Sequence, residues 1–450
     1  MRNALSEIEG VHNATEEEIV RLMQRDVNSA DPARFEREGV FQTVLNIDEN
    51  RRRSSPYNYI AETLAAKAED GSPLYPLTLS THSLASKVLF DTTKDRPRAI
   101  GVEYLVGTQL YEADHAYDES AEAEVRTVTA KKEVIVAGGA FNTPQILKLS
   151  GVGPQAELEE HGIPVLVDLP SVVSCSSCPR HQRVGLTTRQ GEYLRDNYEA
   201  GIHVNAAIPW ENNPMAGCLF NPNGTAEEDP CLAQWLDGYG PYGQGSAPIF
   251  MILRSSEAST ADSDTIVFGG ASTVFDGHFP GFSRARWPPE SFFFAIVDMQ
   301  SGEQNGYVRL RSADPRHQPE IHLDFYPEGE GGDTDIRTLA DGTRRLLDIL
   351  QMTGEPYLPL EVVSPPSDVS LEQSIRDHSW SHHVTSSCRM GPRDDGDYCV
   401  DSKFRVNGVD RLRVVDGSIF PISPGGFPGS STATISRKAF YDIIAAAKED

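Results

Sequence analysis

The stretch Glu133-Val134-Ile135-Val136-Ala137, followed at once by Gly138-Gly139-Ala140, constrains this chain more than any other. A short continuous apolar run predicts a strand buried on both faces, and the small residues after it let the backbone approach another group closely. Thr143-Pro144 then supplies a helix N-cap and a preorganised first position, Gln145 to Ser150 a short helix, and Gly151 its stop. Strand, glycine turn and helix N-terminus in succession predict a ligand-facing edge of an α/β sheet.

The flanking sequence places this edge within a larger plan. Leu77 to Thr81, Ala85 to Asp91, Ala99 to Val106 and Val125 to Ala130 alternate as strands do. Before Gly71 the chain is polar and irregular, with a short helical pattern from Tyr59 to Lys67 and a charged run, Arg51-Arg52-Arg53, that reads as a solvated face. From about Gly185 to Trp380, proline, glycine, asparagine and aromatic residues become dense. Ser291 to Met299 and Tyr307 to Arg311 read there as antiparallel strands joined through Ser301-Gly302, and Asp335 to Leu350 as an amphipathic helix. A strand at Leu412 to Val415 and a helix from Thr434 to Ala447, with Ile435, Ala439, Ile443 and Ala446 inward, close the chain. The expected fold class is α/β plus α+β: an incomplete Rossmann-like domain with an antiparallel-sheet substrate-binding domain. Residues 1–72 form a flanking or lid segment, 73–170 and 382–450 the discontinuous α/β domain, and 171–381 the substrate domain.

Charge narrows the partners. A net charge of −26 argues against nucleic acid and anionic membranes, which such a surface repels. No apolar run approaches the roughly 18 residues needed to cross a bilayer. Met1 to Val20 lacks the basic start and apolar block of a secretory signal, so the cytoplasm is the default location, with any signal upstream of Met1 left open. Six cysteines in 450 residues make no disulfide scaffold, and Cys175-x-x-Cys178 lacks the second ligand pair that zinc requires, so no metal site is expected. Asn13-Ala14-Thr15 and Asn223-Gly224-Thr225 fit the glycosylation pattern, which arises often by chance.

No GxGxxG follows a strand, which removes the usual warrant for a dinucleotide site. Other segments carry a resemblance. Gly139-Ala140-Phe141-Asn142-Thr143-Pro144-Gln145-Ile146-Leu147-Lys148-Leu149-Ser150-Gly151-Val152-Gly153-Pro154 resembles the second signature of the glucose-methanol-choline oxidoreductases almost position for position. His383-Val384-Thr385-Ser386-Ser387-Cys388-Arg389-Met390-Gly391 is similar to that family's active-site histidine segment, and Leu412 through Pro421 to its carboxy-terminal flavin-contacting segment. The similarity runs from about Asp31 to the end. It implies an FAD cofactor and a small-molecule alcohol as substrate. His383 occupies the position of the base that accepts the hydroxyl proton while hydride passes to the flavin, a role suited to an imidazole, and His382 assists or packs. The resemblance further implies that Asp416 and Gly417 lie against the ribityl and pyrophosphate part of FAD, Val88 against its adenine end, and Gly139, Ala140, Asn142 and Thr143 near the isoalloxazine or pyrophosphate.

Three departures qualify that picture. The family's opening βαβ unit with its glycine fingerprint is not found. After Leu169-Pro170 the family reads glycine, valine, glycine, a variable position, Asn, Leu, Gln, Asp, His, whereas this chain has Ser171-Val172-Val173-Ser174-Cys175-Ser176-Ser177-Cys178-Pro179-Arg180-His181, as an altered coding segment would. Phe427 stands where the family places a second His or Asn against the substrate. Two other readings therefore stay open beside the alcohol oxidoreductase: a truncated, non-catalytic interaction module, and a relative turned lyase or cyclase. Sequence leaves open the alcohol, the electron acceptor and the oligomeric state.

Overall fold

Eight residues of Ser291–Asp298 include Phe292, Phe293, Phe294, Ile296 and Val297, a density of aromatic and β-branched side chains that suits a central strand. The computed structural model describes all residues except 30, 35, 173–192, 210–214, 216, 220, 222, 244–247, 272–289, 303–305 and 450. Within them the chain forms two units. One comprises Met1–Leu79, Tyr198–Gln300 and Gly332–Ser381, the other Ser80–Asn197, Ser301–Gly331 and His382–Asp450.

The first unit begins with helices α1 (Arg2–Glu9) and α2 (Glu16–Met23), strand β1 (Gly39–Gln42) and helix α3 (Pro56–Ala65). In the second unit come β2 (Ser83–Asp91), β3 (Arg98–Val106), β4 (Glu124–Thr129), β5 (Val134–Val136), α4 (Gly139–Leu149), β6 (Val152–Gly153), α5 (Gln155–Glu160) and β7 (Val167–Asp168). The chain returns to the first unit with β8 (Tyr198–Asn205), α6 (Pro230–Leu236), β9 (Ile249–Leu253), β10 (Thr265–Ala271) and β11 (Ser291–Asp298). It crosses again for β12 (Tyr307–Arg309) and β13 (Glu320–His322). Then α7 (Glu330–Gln351), β14 (Glu361–Ser364) and α8 (Leu371–His378) complete the first unit, and β15 (Leu412–Val414) and α9 (Gly429–Glu449) the second.

The first unit is organised by one antiparallel sheet in the order β1-β9-β10-β11-β8-β14. Ile336, Leu339, Thr343 and Leu346 of α7 are buried, as its periodicity predicts, and a Cβ on its Gly342 would lie 3.0 Å from Ile296 Cγ2, so the helix lies close on β11. On β8, Gly201 makes room for Trp380, whose ring would be 2.7 Å from a Cβ there. Sequence reading differs from this architecture in three ways. Residues 1–72 are not merely flanking, because β1 pairs with β9 at the sheet edge. Ser291–Asp298 and Tyr307–Arg309 are not one hairpin: β11 pairs with β8 and β10, while β12 pairs with β13 in the second unit. Residues 301–331 thus leave the span assigned to a substrate domain, and 77–81 form no strand. The spacing Gly238-Tyr239-Gly240-Pro241-Tyr242-Gly243 follows helix α6 and enters a 3-10 turn, so it lacks the strand-before and helix-after setting of a dinucleotide loop.

In the second unit β2, β3 and β4 form an antiparallel meander, and β5 pairs in parallel with β15. Val88, Val134, Val136, Leu147, Phe404, Val414 and Ala439 share one core. β5 is buried on one face only, however: Val134 and Val136 are 6% exposed but Ile135 is 45% exposed, against the expectation of two covered faces. Fully buried Lys148 of α4 is neutralised by Glu157 of α5 at 2.8 Å and donates to Val308 O at 2.7 Å, tying two helices to β12. Burial pulls the Lys148 ammonium below its ordinary range, and Glu157 opposes that shift. Disulfides join Cys218 to Cys231 and Cys388 to Cys399, local clasps that the scattered cysteines did not reveal; Cys175 and Cys178 lie outside the described residues. No helix among the described residues is long and apolar enough to cross a membrane.

Candidate active site

The site is built where α4 begins. Sequence reading makes Thr143 its N-cap and Pro144 its first residue, but the helix starts five residues before that proline, at Gly139, with Pro144 inside it. A proline there leaves the Ala140 carbonyl without its helical donor. Ser387, from the histidine segment, supplies one: its hydroxyl donates to Ala140 O at 2.6 Å. Thr143 still caps, from inside the helix, by accepting from Gly138 N–H at 2.9 Å.

Asp416 completes this corner. Its Oδ2 accepts from Gly139 N–H at 3.0 Å and from Thr143 Oγ1 at 2.6 Å, and its Oδ1 accepts from Ser418 N–H at 2.8 Å. One carboxylate therefore caps both α4 and the 3-10 turn Gly417–Ile419, at helix starts where negative charge is favoured. Gly139 itself has φ +78°, which favours glycine, and a Cβ added there would meet no atom within 4 Å. The corner presents open backbone beside a held carboxylate, but the Gly138 and Gly139 N–H groups are already engaged. Such a surface suits a flat or hydroxyl-bearing group laid against the chain better than a phosphate in search of those two donors.

The histidine segment runs along the same corner. Ser386 N–H donates to Gly417 O at 3.3 Å and Cys388 N–H to Ser418 O at 2.8 Å, while a Cβ on Gly417 would lie 3.8 Å from Val384 O. His383 is half-buried and His382 exposed, with their rings 4.3 Å apart. The Phe427 ring lies 4.7 Å from that of His383 and is 40% exposed. Thus Gly139, Ala140, Thr143, Asp416 and Gly417 form one hydrogen-bonded corner, with His383 and Phe427 carried by loops of the same unit. Asn142 is drawn aside: its amide donates to Tyr111 Oη at 2.6 Å and Gln145 Oε1 at 3.0 Å. Val88 is a buried strand residue whose N–H donates to Ser150 Oγ at 2.8 Å.

Three residues escaped the sequence reading. Asp196 Oδ1 accepts from the His383 backbone N–H at 2.9 Å, and Arg195 exchanges backbone bonds with Thr385 at 2.8 and 3.1 Å. Asn197 joins the other side by donating to Gly426 O and accepting from Ser423 Oγ at 2.8 Å. The signal was present in Leu194-Arg195-Asp196-Asn197, which keeps the Leu and Asp of the Leu, Gln, Asp, His expected in the loop after Pro170, with Arg and Asn in the other two places and further along the chain. Most of the altered loop itself lies outside the described residues.

Comparison with known proteins identifies the family. Two family profiles, each described as GMC oxidoreductase, match residues 11–185 and 302–436. Oxygen-dependent choline dehydrogenase of Pseudomonas syringae pv. tomato is 31% identical over 396 residues, covering 86% of this chain and 58% of that protein. Patulin synthase of Aspergillus clavatus is 29% identical, covering 90% of this chain and 59% of that protein. A crystal structure of formate oxidase superposes with a TM-score of 0.69 at 21% identity, covering 92% of this chain and 66% of the other. An FAD-dependent oxidoreductase from Chaetomium thermophilum gives 0.63 at 20%, covering 91% and 68%. The chain thus spans less than two thirds of the length of these curated relatives. With both profiles matched and the helix start, histidine segment and Asp416 turn assembled in one unit, the chain belongs to the GMC oxidoreductase family of FAD-dependent flavoproteins.

Proposed function

We propose that this chain forms the flavin-proximal and substrate-facing part of an FAD-dependent oxidoreductase acting on the CH–OH group of an alcohol, with His383 as the base. The observation carrying the proposal is that the His383 segment is bonded to Gly417, Ser418 and Ala140, the residues that border the open backbone at Gly139. FAD, when bound, supplies the hydride acceptor. Gly139, Asp416 and Gly417 would hold its flavin and ribityl end.

The chain's own groups then divide the work. His383 takes the hydroxyl proton of the alcohol, so that negative charge builds on the oxygen as the C–H bond weakens. Phe427 offers no hydrogen bond to that oxygen, and instead lines the space beside the imidazole with an apolar face that excludes water. Loss of a polar partner at that position costs positioning energy of about 1–3 kcal/mol and favours alcohols that carry an apolar group. The exposed His382 ring packs on His383 and props it.

Reconstitution tests this reading. Purified chain is incubated with FAD, freed of unbound cofactor and exposed to a panel of small alcohols without oxygen. Retained flavin absorbance that bleaches with an alcohol supports the proposal. A second reading, a non-catalytic interaction module, is favoured by Ile135, because an exposed face on a parallel pair leaves the sheet uncovered. Failure to retain any flavin would select it.

A further inference from the structure

We propose that Asp196 and Asn197 are positioning residues that fix the distance between His383 and Phe427, one residue holding each wall of the site. This rests on the reading of His383 as the base. Both side chains are fully buried, where a polar group is kept only if it is hydrogen-bonded. Asp196 Oδ1 accepts from the backbone N–H of His383, and the neighbouring Arg195–Thr385 bridge ties down the same segment two residues on. Asn197 uses both ends of its amide on the opposite loop: Nδ2 donates to Gly426 O and Oδ1 accepts from Ser423 Oγ.

That second loop needs such an anchor. Gly425 and Gly426 have φ +75° and +41°, a consecutive left-handed pair that only glycine adopts readily, so the backbone turns sharply just before Phe427. Phe427 is itself 40% exposed, with its ring against that of His383. Consecutive residues 196 and 197 thus grip the two loops whose rings meet at 4.7 Å. Because Phe427 bounds the space beside the imidazole, Asn197 sets the width of the substrate site without touching the substrate.

An imidazole proton beside an aromatic ring reports their separation through the ring current, with neither flavin nor substrate needed. Full-length chain with carbon-labelled histidine is compared by NMR, and the His383 Hε1 resonance is identified by its loss in His383→Ala. Phe427→Leu is expected to move this resonance. Asn197→Ala should move it in the same direction by most of that amount, and Ser423→Ala, which removes one bond at a half-buried side chain, by less. Asp196→Asn keeps the acceptor and should leave the resonance in place, whereas Asp196→Ala should shift it. The proposal is overturned if Phe427→Leu moves the resonance while Asn197→Ala does not. If Asn197→Ala fails to fold, an unmoved resonance in Ser423→Ala overturns it equally. Since no cofactor takes part, this result is separate from whether the loaded protein oxidises an alcohol.

Discussion

Asp298 sits 2% exposed at the end of β11, with Asp335 of α7 and Asp264 close enough for their charges to act on it. Burial first, and the Asp335 charge second, push its carboxyl well above the usual carboxylate range, and Gln300 N–H at 2.9 Å only partly opposes them. A folded value above the unfolded one, about 3.9 for Asp, means that the associated stability is full below that pH and is lost as pH rises through the folded value. Asp298→Asn replaces the held proton with an amide donor. It should raise the Tm of the first unit at pH 8, by about 2–4 °C for each kcal/mol recovered, and raise it much less at pH 4, as calorimetry at the two pH values would show. An equal change at both would mean that the carboxyl is not held protonated. None of this was legible in sequence, because Asp264, Asp298 and Asp335 meet only through tertiary packing.

Helix α4 shows what an element inherits from elsewhere. Local rules read Thr143-Pro144 as a start, and in an isolated segment that reading would be sound. The helix extends back to Gly139 because Asp416 and Ser387, far along the chain, satisfy its first N–H groups and the carbonyl that Pro144 abandons. Ser387→Ala should therefore cost about 1–3 kcal/mol in denaturant unfolding, the penalty for an unpaired buried carbonyl. Pro144→Ala, which restores the helical N–H, should recover most of that loss in the double variant. Additive effects would mean that the Ser387 bond is unrelated to the proline. The strands at 83–91, 98–106 and 412–414 and helices α7 and α9 were legible from their periodicity, because each sets apolar side chains against a core at regular intervals, as Ile435, Ala439 and Ile443 of α9 do. The β11–β12 hairpin was misread because adjacency in sequence is a default that this chain breaks by crossing between units.

At the scale of the whole molecule, both units are discontinuous, and sequence carried the motifs better than the boundaries. The signature from Gly139 to Pro154, the histidine segment and the Asp416 turn named the family and the members of one corner. The Asp196–Asn197 anchor remained hidden because it lies some 25 residues beyond Pro170 and keeps only the Asp of the expected Asp-His pair. Ile135 likewise reads as a strand residue covered on both faces, and only packing reveals one face open. The central proposal is that His383 removes the proton from an alcohol. The most direct test is the rate of anaerobic flavin bleaching by an alcohol in FAD-loaded chain against its His383→Ala variant. A drop of about 10²–10⁴-fold with flavin retention unchanged is the predicted result, and an unchanged rate in the variant would contradict it.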